Sequence, residues 1–242
     1  MHASAEYTVR DVNVVPAASL LAEPTRAAML TAMLDDRPLA AGELARLAGV
    51  TPATASAHLA RLLDGGLVTV VRQGRHRYYR LAGPQVAAVM EALAHLSPVT
   101  PVCSLRQSQV AAALAEARTC YDHLAGRAGV ALLDALLARR LLAAPQAHTG
   151  PARFEVTVDG LATLDAFGID IGALERARRR FAGACLDWTE RKPHLNGALG
   201  AAITARLLGL NWIERGSRRR AVKVTPAGAE GLAATFGWSI EG

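Results

Sequence analysis

The sequence predicts a mainly α-helical protein with small β-hairpins, an α+β fold arranged in two domains. Three observations support this prediction. Apolar residues recur every three or four positions through much of the chain, which is the period of an amphipathic helix. Short alternating segments flank the glycine at position 74, as in a hairpin. One pattern in the C-terminal half occurs twice, which indicates a duplicated unit.

Composition narrows the class of protein. Hydrophobic residues make up 51% of the 242 residues, enough for one large or two small cores. The formal charge of +6 suits a polyanionic partner such as nucleic acid. The sequence contains no long uncharged apolar run and no signal peptide at its start, so we expect a cytoplasmic protein without a membrane partner. Three cysteines, Cys103, Cys120 and Cys185, are too few for a disulfide framework.

The N-terminal third contains signals for three helices. The segment LLAEPTRAAMLTAML predicts an amphipathic helix with Pro24 near its start. The segment AAGELARLAG predicts a short helix that ends at Gly49, and TPATASAHLARLLDGG predicts another that Thr51 caps and Gly65 ends. Two short helices joined by a tight glycine-containing turn form a helix-turn-helix.

A hairpin follows these helices. In LVTVVRQGRHRYYRL, apolar and polar residues alternate on both sides of Gln73 and Gly74, which predicts two strands joined by a tight turn. A hairpin directly after a helix-turn-helix is a wing.

The segment from about Leu20 to Leu81 resembles the ArsR/SmtB family of winged-helix repressors. The resemblance rests on residues in four elements: Glu23-Pro24-Thr25-Arg26, Glu43-Leu44-Ala45, Ser56-Ala57-His58-Leu59, and Gly66-Leu67-Val68 with Gly74-Arg75 and Tyr78-Tyr79. It implies a homodimer formed by terminal helices, a palindromic operator in double-stranded DNA, and release of the DNA when an inducer binds. It implies no enzymatic activity.

The winged helix places specific side chains against DNA. A recognition helix lies in the major groove and reads bases with its N-terminal face. We expect that face to present Thr51, Thr54, Ser56, His58 and Arg61, whereas Leu59 and Leu62 point inward. The wing carries basic residues that can reach phosphates or the minor groove: Arg72, Arg75 and Arg77. Alternatively, His58 is a core or capping histidine and the wing tip an ordinary solvated turn.

We place a domain boundary near residue 100, where the proline-containing stretch SPVTPVCS shows no periodicity. Residues 1–100 then form the DNA-binding and dimerisation domain, including the helix PQVAAVMEALAHL, and residues 101–242 form an effector-sensing domain.

The second domain repeats itself. Cys120-Tyr121-Asp122 is followed directly by HLAGRAG, and Cys185-Leu186-Asp187 is followed six residues later by HLNGALG. Downstream, FEVTVDGLATLDAFG parallels VKVTPAGAEGLAATFG, each predicting a strand, a turn at Gly160 or Gly228, and a short helix. Two related units therefore form one pseudo-symmetric domain.

A duplication brings equivalent residues together around a local two-fold axis, so we expect a Cys₂His₂ set of Cys120, His123, Cys185 and His194. Such a set suits a soft or borderline divalent metal, namely zinc, cadmium or lead. The three-residue spacing puts Cys120 and His123 on one face of a helix. Asp122 and Asp187 can orient the imidazoles or act as ligands themselves.

Other interpretations of the second domain stay open. The cysteines and histidines can instead be packed structural residues, or the domain can hold an organic inducer. An architectural DNA-binding protein without an effector is a third possibility. An enzyme with a cysteine nucleophile is disfavoured, because two equivalent nucleophiles are rarely needed. The helix before the recognition helix contains no cysteines that could bind a metal. On the terminal helix, Glu91 and His95 are the only pair of candidate metal ligands. We therefore expect any metal specificity to come from the second domain.

Overall fold

A computed structural model describes residues 12–74, 76–98, 104–144, 153–216 and 220–240. The chain divides into two compact units, Met1–Met33 with Arg37–Gly83, and Leu34–Asp36 with Pro84–Gly242. Within the described residues, every helix is too short or too polar to cross a bilayer.

The first unit has the predicted winged helix-turn-helix. Its elements are α1 (Val15–Leu21), α2 (Pro24–Ala32), β1 (Leu39–Ala40), α3 (Ala41–Ala48), α4 (Pro52–Asp64), β2 (Val68–Gln73) and β3 (His76–Leu81). Helix α3 ends at Gly49, whose φ of 67° is left-handed, as expected of a C-terminal glycine. Helix α4 begins at the predicted cap, because the Thr51 hydroxyl accepts a hydrogen bond from the Thr54 amide.

One strand of this unit has no signal in the sequence. The two-residue strand β1 pairs antiparallel with β3 and completes a three-stranded sheet of order β1-β3-β2. The helices and sheet enclose a small apolar core, which includes Met29, Leu30, Leu44, Leu59, Leu62 and Leu81. The predicted inward orientation of Leu59 and Leu62 is confirmed.

The second unit contains the remaining elements. They are α5 (Pro84–Leu96), α6 (Leu105–Glu116), β4 (Arg118–Cys120), β5 (His123–Ala125), α7 (Arg127–Ala138), β6 (Leu142–Ala143), β7 (Glu155–Val156), α8 (Val158–Ala166), α9 (Ile171–Glu175), β8 (Gly183–Leu186), β9 (Pro193–Asn196), α10 (Gly197–Gly209), β10 (Ile213–Arg215), β11 (Val222–Val224) and α11 (Pro226–Phe236). Each strand pair is a two-stranded antiparallel sheet.

The duplication appears as a repeated element order of hairpin, helix, hairpin, helix, from β4 to α8 and from β8 to α11. We expected Gly160 and Gly228 to form turns before the last helix of each repeat. Instead, they lie inside the first turns of α8 and α11. A Cβ at either glycine would overlap a backbone oxygen, at 2.0 Å from Leu141 O or 1.9 Å from Trp212 O. Glycine is therefore required here by close backbone packing.

The prediction that Cys120 and His123 share a helix face is wrong. Cys120 ends β4 and His123 begins β5, and the two residues are cross-strand partners of a tight hairpin. Cys185 and His194 are partners in the same way across β8 and β9. A tight turn is possible because Tyr121 takes a left-handed φ of 61°, which reverses the chain within two residues.

Helix α5 groups with the second unit, whereas the sequence placed it before the boundary near residue 100. Two contacts from one face of the helix account for this. The buried Glu91 carboxylate pairs with Arg220, and His95 Nε2 lies 2.8 Å from the carbonyl oxygen of Leu186.

Candidate functional site

The recognition helix α4 presents small hydroxyl groups at its N-terminal end. Thr51, Thr54 and Ser56 are exposed. The Thr51 and Thr54 hydroxyls lie 2.9 Å apart, and Ser56 donates to the carbonyl of Pro52. Arg61, further along the helix, is also exposed. These side chains can meet bases and phosphates.

His58 is placed differently from its neighbours. It is half-buried, and its Nδ1 lies 3.3 Å from Glu23 Oε2. Glu23 also caps α2 by accepting from the amides of Thr25 and Arg26. Burial opposes the charge, but these amide bonds lower the pKa of Glu23 to about 2. His58 thus contacts Glu23, the residue that caps a neighbouring helix.

The wing presents a pair of arginines. Arg72 and Arg77 are exposed cross-strand partners next to the turn, where their guanidinium groups can reach a DNA backbone. Arg75, the third predicted wing contact, lies outside the described residues. Tyr79 is buried in the sheet and Tyr78 is half-buried.

The four predicted metal ligands of the second unit come together. One ligand atom from each of Cys120, His123, Cys185 and His194 lies within 4.8 Å of the other three. The two Sγ atoms are 3.9 Å apart. Because each cysteine faces its own histidine across a hairpin, two hairpins supply the whole Cys/His cluster.

The two imidazoles stack with their ring centroids 5.2 Å apart. Nδ1 of His123 is 3.2 Å from Asp122 Oδ1, and Nδ1 of His194 is 3.5 Å from Asp187 Oδ2. Nε2 of each ring is buried and has no hydrogen-bond partner among the described residues. Nδ1 of His194, 3.5 Å from Asp187, also lacks a hydrogen bond among the described residues. A buried polar atom without a hydrogen-bond partner is costly, and three such atoms belong to this one cluster.

The carboxylates beside the histidines are held by arginines from the other repeat. Arg118, on β4, pairs with Asp187 at 2.9 Å, and both side chains are fully buried. Arg179, just before β8, pairs with Asp122 at 2.6 Å. Each Arg–Asp–His series therefore crosses between the repeats. A carboxylate on the far nitrogen of a histidine is the usual support of a metal ligand.

These charges set the protonation of the cluster. Hydrogen bonding to Cys185 and burial raise the pKa of the Cys120 thiol. Burial and the positive charge of His123 lower the pKa of His194 to about 3. Burial also disfavours a charged His123, but Cys120 and Asp122 raise its pKa to about 9. Arg118 outweighs burial and keeps the pKa of Asp187 well below its usual range.

Glycines let the two repeats approach each other at the cluster. A Cβ on Gly200 of α10 would lie 3.3 Å from the Cβ of His123, and a Cβ on Gly129 of α7 would lie 3.6 Å from the Cβ of His194. The reciprocal contacts have the pseudo-two-fold symmetry that the repeat predicts. Each helix packs against the histidine of the other repeat.

Sequence reasoning missed the arginines that support the cluster and the contacts of α5. Arg118 lies two residues before Cys120, but nothing local identifies Asp187 as its partner. Glu91 and His95 stood out in the sequence only as a pair of metal ligands, whereas the structure pairs them with Arg220 and with the backbone of Leu186.

A comparison with protein families agrees with the fold of the first unit. A family model described as a helix-turn-helix domain matches residues 21–71. HlyU from Vibrio cholerae N16961 is 31% identical, with a TM-score of 0.32, over 34% of this chain and 89% of that one. The transcriptional repressor BigR from Xylella fastidiosa is 25% identical, with a TM-score of 0.33, over 36% of this chain and 88% of that one.

A curated relative extends the similarity to the second unit. The uncharacterized HTH-type transcriptional regulator YdfF of Bacillus subtilis (strain 168) is 43% identical over 216 residues, which are 89% of this chain and 93% of that protein. The matched portion therefore includes both the DNA-binding fold and most of the second unit. The chain therefore belongs to the HTH-type transcriptional regulators, and its first unit is a winged helix-turn-helix.

Proposed function

We propose that this transcriptional regulator is a dimeric repressor, and that a metal ion bound at the Cys/His cluster releases it from its operator. The observation that carries the proposal is the convergence of two cysteines and two histidines from separate hairpins, within 4.8 Å of one another. The inducer class follows from these donors, since thiolate and imidazole together favour zinc, cadmium or lead.

The cluster dimensions support a tetrahedral ion. In a regular tetrahedron the ligand–ligand distance is about 1.63 times the metal–ligand bond, so a Zn–S bond of about 2.3 Å gives about 3.8 Å between sulfurs. The observed Sγ–Sγ distance is 3.9 Å. An ion bound there would be held by Cys120, Cys185 and Nε2 of the two histidines, with Asp122 and Asp187 on the opposite ring nitrogens.

The DNA-binding part of the proposal rests on the first unit. Thr51, Thr54 and Ser56 would contact the major groove, and Arg72 and Arg77 would contact phosphates beside it. Arg61 and Arg75 are proposed contacts as well, whereas His58 would act by positioning α4 through Glu23. A homodimer would place two recognition helices on the half-sites of a palindrome.

The test is operator binding with and without metal. An operator is first selected from a pool of random duplexes, and its affinity is then measured by fluorescence anisotropy during titration with zinc, cadmium or lead. We expect metal to weaken binding of the wild type by a factor of about 5 to 150, the usual range of allosteric coupling.

Two variants make this test specific. The Cys120→Ser, Cys185→Ser double variant should bind the operator without a metal response, whereas Cys103→Ser should respond like the wild type. If the selection from random duplexes yields no preferred sequence, the proposal of a repressor with a specific operator is contradicted. A sequence preference with no metal effect in the wild type would contradict the sensor and leave an organic effector or an architectural role.

A further inference from the structure

We propose that helix α5 is the output element of the Cys/His cluster, and that Glu91 and His95 are the positioning residues that couple the two. The inference rests on the proposed function, since it names the route by which the same site acts on DNA binding. All the contacts that carry it lie within the second unit.

Glu91 connects α5 to the strand that bears Cys120. Its buried carboxylate pairs with Arg220, and Arg220 Nε donates to the carbonyl of Thr119 at 3.1 Å. The Thr119 amide in turn donates to the carbonyl of Arg220 at 2.7 Å. Thr119 directly precedes Cys120 in β4, so a shift of the cysteine strand is transmitted to the helix through one buried ion pair.

His95 connects the same helix to the other cysteine strand. Its Nε2 lies 2.8 Å from the carbonyl oxygen of Leu186, the residue after Cys185. Glu91 and His95 are four residues apart and therefore share one face of α5. One helix face is thus bonded to both halves of the cluster.

A third bond starts from the turn of the first hairpin. The amide of Tyr121, between Cys120 and Asp122, donates to the carbonyl of Leu34 at 2.9 Å. Leu34 begins the three-residue segment Leu34–Asp36, which groups with the second unit. Along the chain this segment connects α2 to β1 and α3. The cluster is therefore bonded to two segments that continue directly into the helix-turn-helix and its wing, since only Ala82 and Gly83 separate β3 from α5.

Metal binding must change the cluster slightly. The four ligand atoms spread over as much as 4.8 Å, whereas the edges of a tetrahedral zinc site with two sulfurs and two nitrogens are about 3.3 to 3.8 Å. The hairpins therefore close by up to about 1.5 Å around the ion. Packed elements do not absorb such a shift smoothly, and displacements of this size at an effector site are commonly amplified into helix movements.

The experiment compares the wild type with Glu91→Gln, His95→Leu, which removes both connections but leaves the four ligands in place. Glu116→Gln is the matched control, because Glu116 forms an exposed ion pair with Arg127 in the same unit. Each protein is assayed for zinc affinity by chelator competition, for operator affinity with and without zinc, and for zinc-dependent hydrogen exchange in residues 84–96.

We expect the double variant to bind zinc within about threefold of the wild type but to lose most of the zinc effect on operator affinity, the quantity that measures coupling. Zinc should slow exchange in residues 84–96 of the wild type and the control but not of the double variant. If the double variant keeps the full effect of zinc on operator affinity, the coupling role of α5 is wrong, but the metal-sensing function is not contradicted. If the wild type binds no zinc, both the proposed function and the coupling role of α5 are wrong.

Discussion

The recognition helix and the Cys/His cluster both depend on polar side chains, but these are exposed on the helix and buried in the cluster. On α4, Thr51, Thr54 and Ser56 are exposed and make only short local hydrogen bonds. In the cluster, the side chains of His123 and His194 are buried beside Asp122 and Asp187, and each of these carboxylates pairs with an arginine of the other repeat. An exposed polar face keeps its groups available to a partner, whereas a buried one must satisfy them within the fold.

This difference predicts where substitutions act. Changes on the recognition helix and wing should alter DNA binding and leave stability almost unchanged, since surface groups contribute little to folding. Changes around the cluster should reduce stability strongly, because they leave charges buried without partners. Substitutions in both regions test this contrast, from the largest expected effect to the smallest.

The largest effect is expected at the buried pair of Arg118 and Asp187. Asp187→Asn leaves the Arg118 guanidinium buried without its counter-charge, which typically costs about 3–5 kcal/mol. Urea unfolding followed by tryptophan fluorescence measures this, because Trp188, Trp212 and Trp238 all lie in the second unit. The control Glu116→Gln breaks an exposed pair and should cost at most about 1 kcal/mol. If both variants lost the same small amount of unfolding free energy, the contrast between the buried cluster and exposed positions would be contradicted.

The next effect concerns the wing. Arg72→Ala with Arg77→Ala should weaken binding to operator and to random duplexes alike, because phosphate contacts carry no sequence information. The slope of log K against log salt should become shallower by about 0.9 for each phosphate that the wing no longer neutralises. Arg176→Ala, an exposed arginine of the second unit, is the control. An unchanged salt slope would show that the wing does not touch the backbone.

A smaller effect is expected on α4. Thr54→Ala should reduce discrimination between the operator and single-base mutants at one position, by about 1 kcal/mol, the lower end of the range for a specific base contact. Binding to random duplexes should stay the same. Competition titrations with a panel of mutant operators measure this, and Leu47→Ala, an exposed apolar position on α3, is the control. A uniform loss over all duplexes would assign Thr54 to a phosphate instead.

The smallest effect concerns the Glu23 cap of α2. Its pKa is lowered to about 2, so its contribution to stability is present above the unfolded-state pKa and is lost as pH falls from about 4.5 towards 2. Glu23→Gln should therefore speed hydrogen exchange in residues 24–32 more at pH 6 than at pH 3.5, relative to the wild type at the same pH. A ratio that does not change with pH would show that the carboxylate charge is not what stabilises the cap.

The same contrast explains what the sequence could predict. The ends of α3 and α4 depend on Gly49 and Thr51, which act on their own backbone, so local patterns were enough. The four cluster residues were found only because the chain repeats itself. Their placement on hairpins was missed, because a spacing of three fits a helix or a tight turn, and Tyr121 is not a residue type that signals a left-handed turn.

The supporting network could not be predicted from the sequence. Arg118 and Asp187 belong to different repeats, and their pairing arises only when the hairpins pack against each other. The contacts of Glu91 and His95 likewise depend on the packing of α5 against two separate strands. Isolated acidic and basic residues carry no signal for such distant partners.

The central claim is that two repeats build one metal site, and X-ray absorption at the zinc edge tests it most directly. We expect zinc-loaded protein to contain one ion per chain, with two sulfur ligands at about 2.3 Å and two nitrogen ligands at about 2.0–2.1 Å. Cys103→Ser should give the same spectrum as the wild type. A shell of only oxygen and nitrogen, or a single sulfur, would contradict the Cys₂His₂ site and with it the proposed sensor.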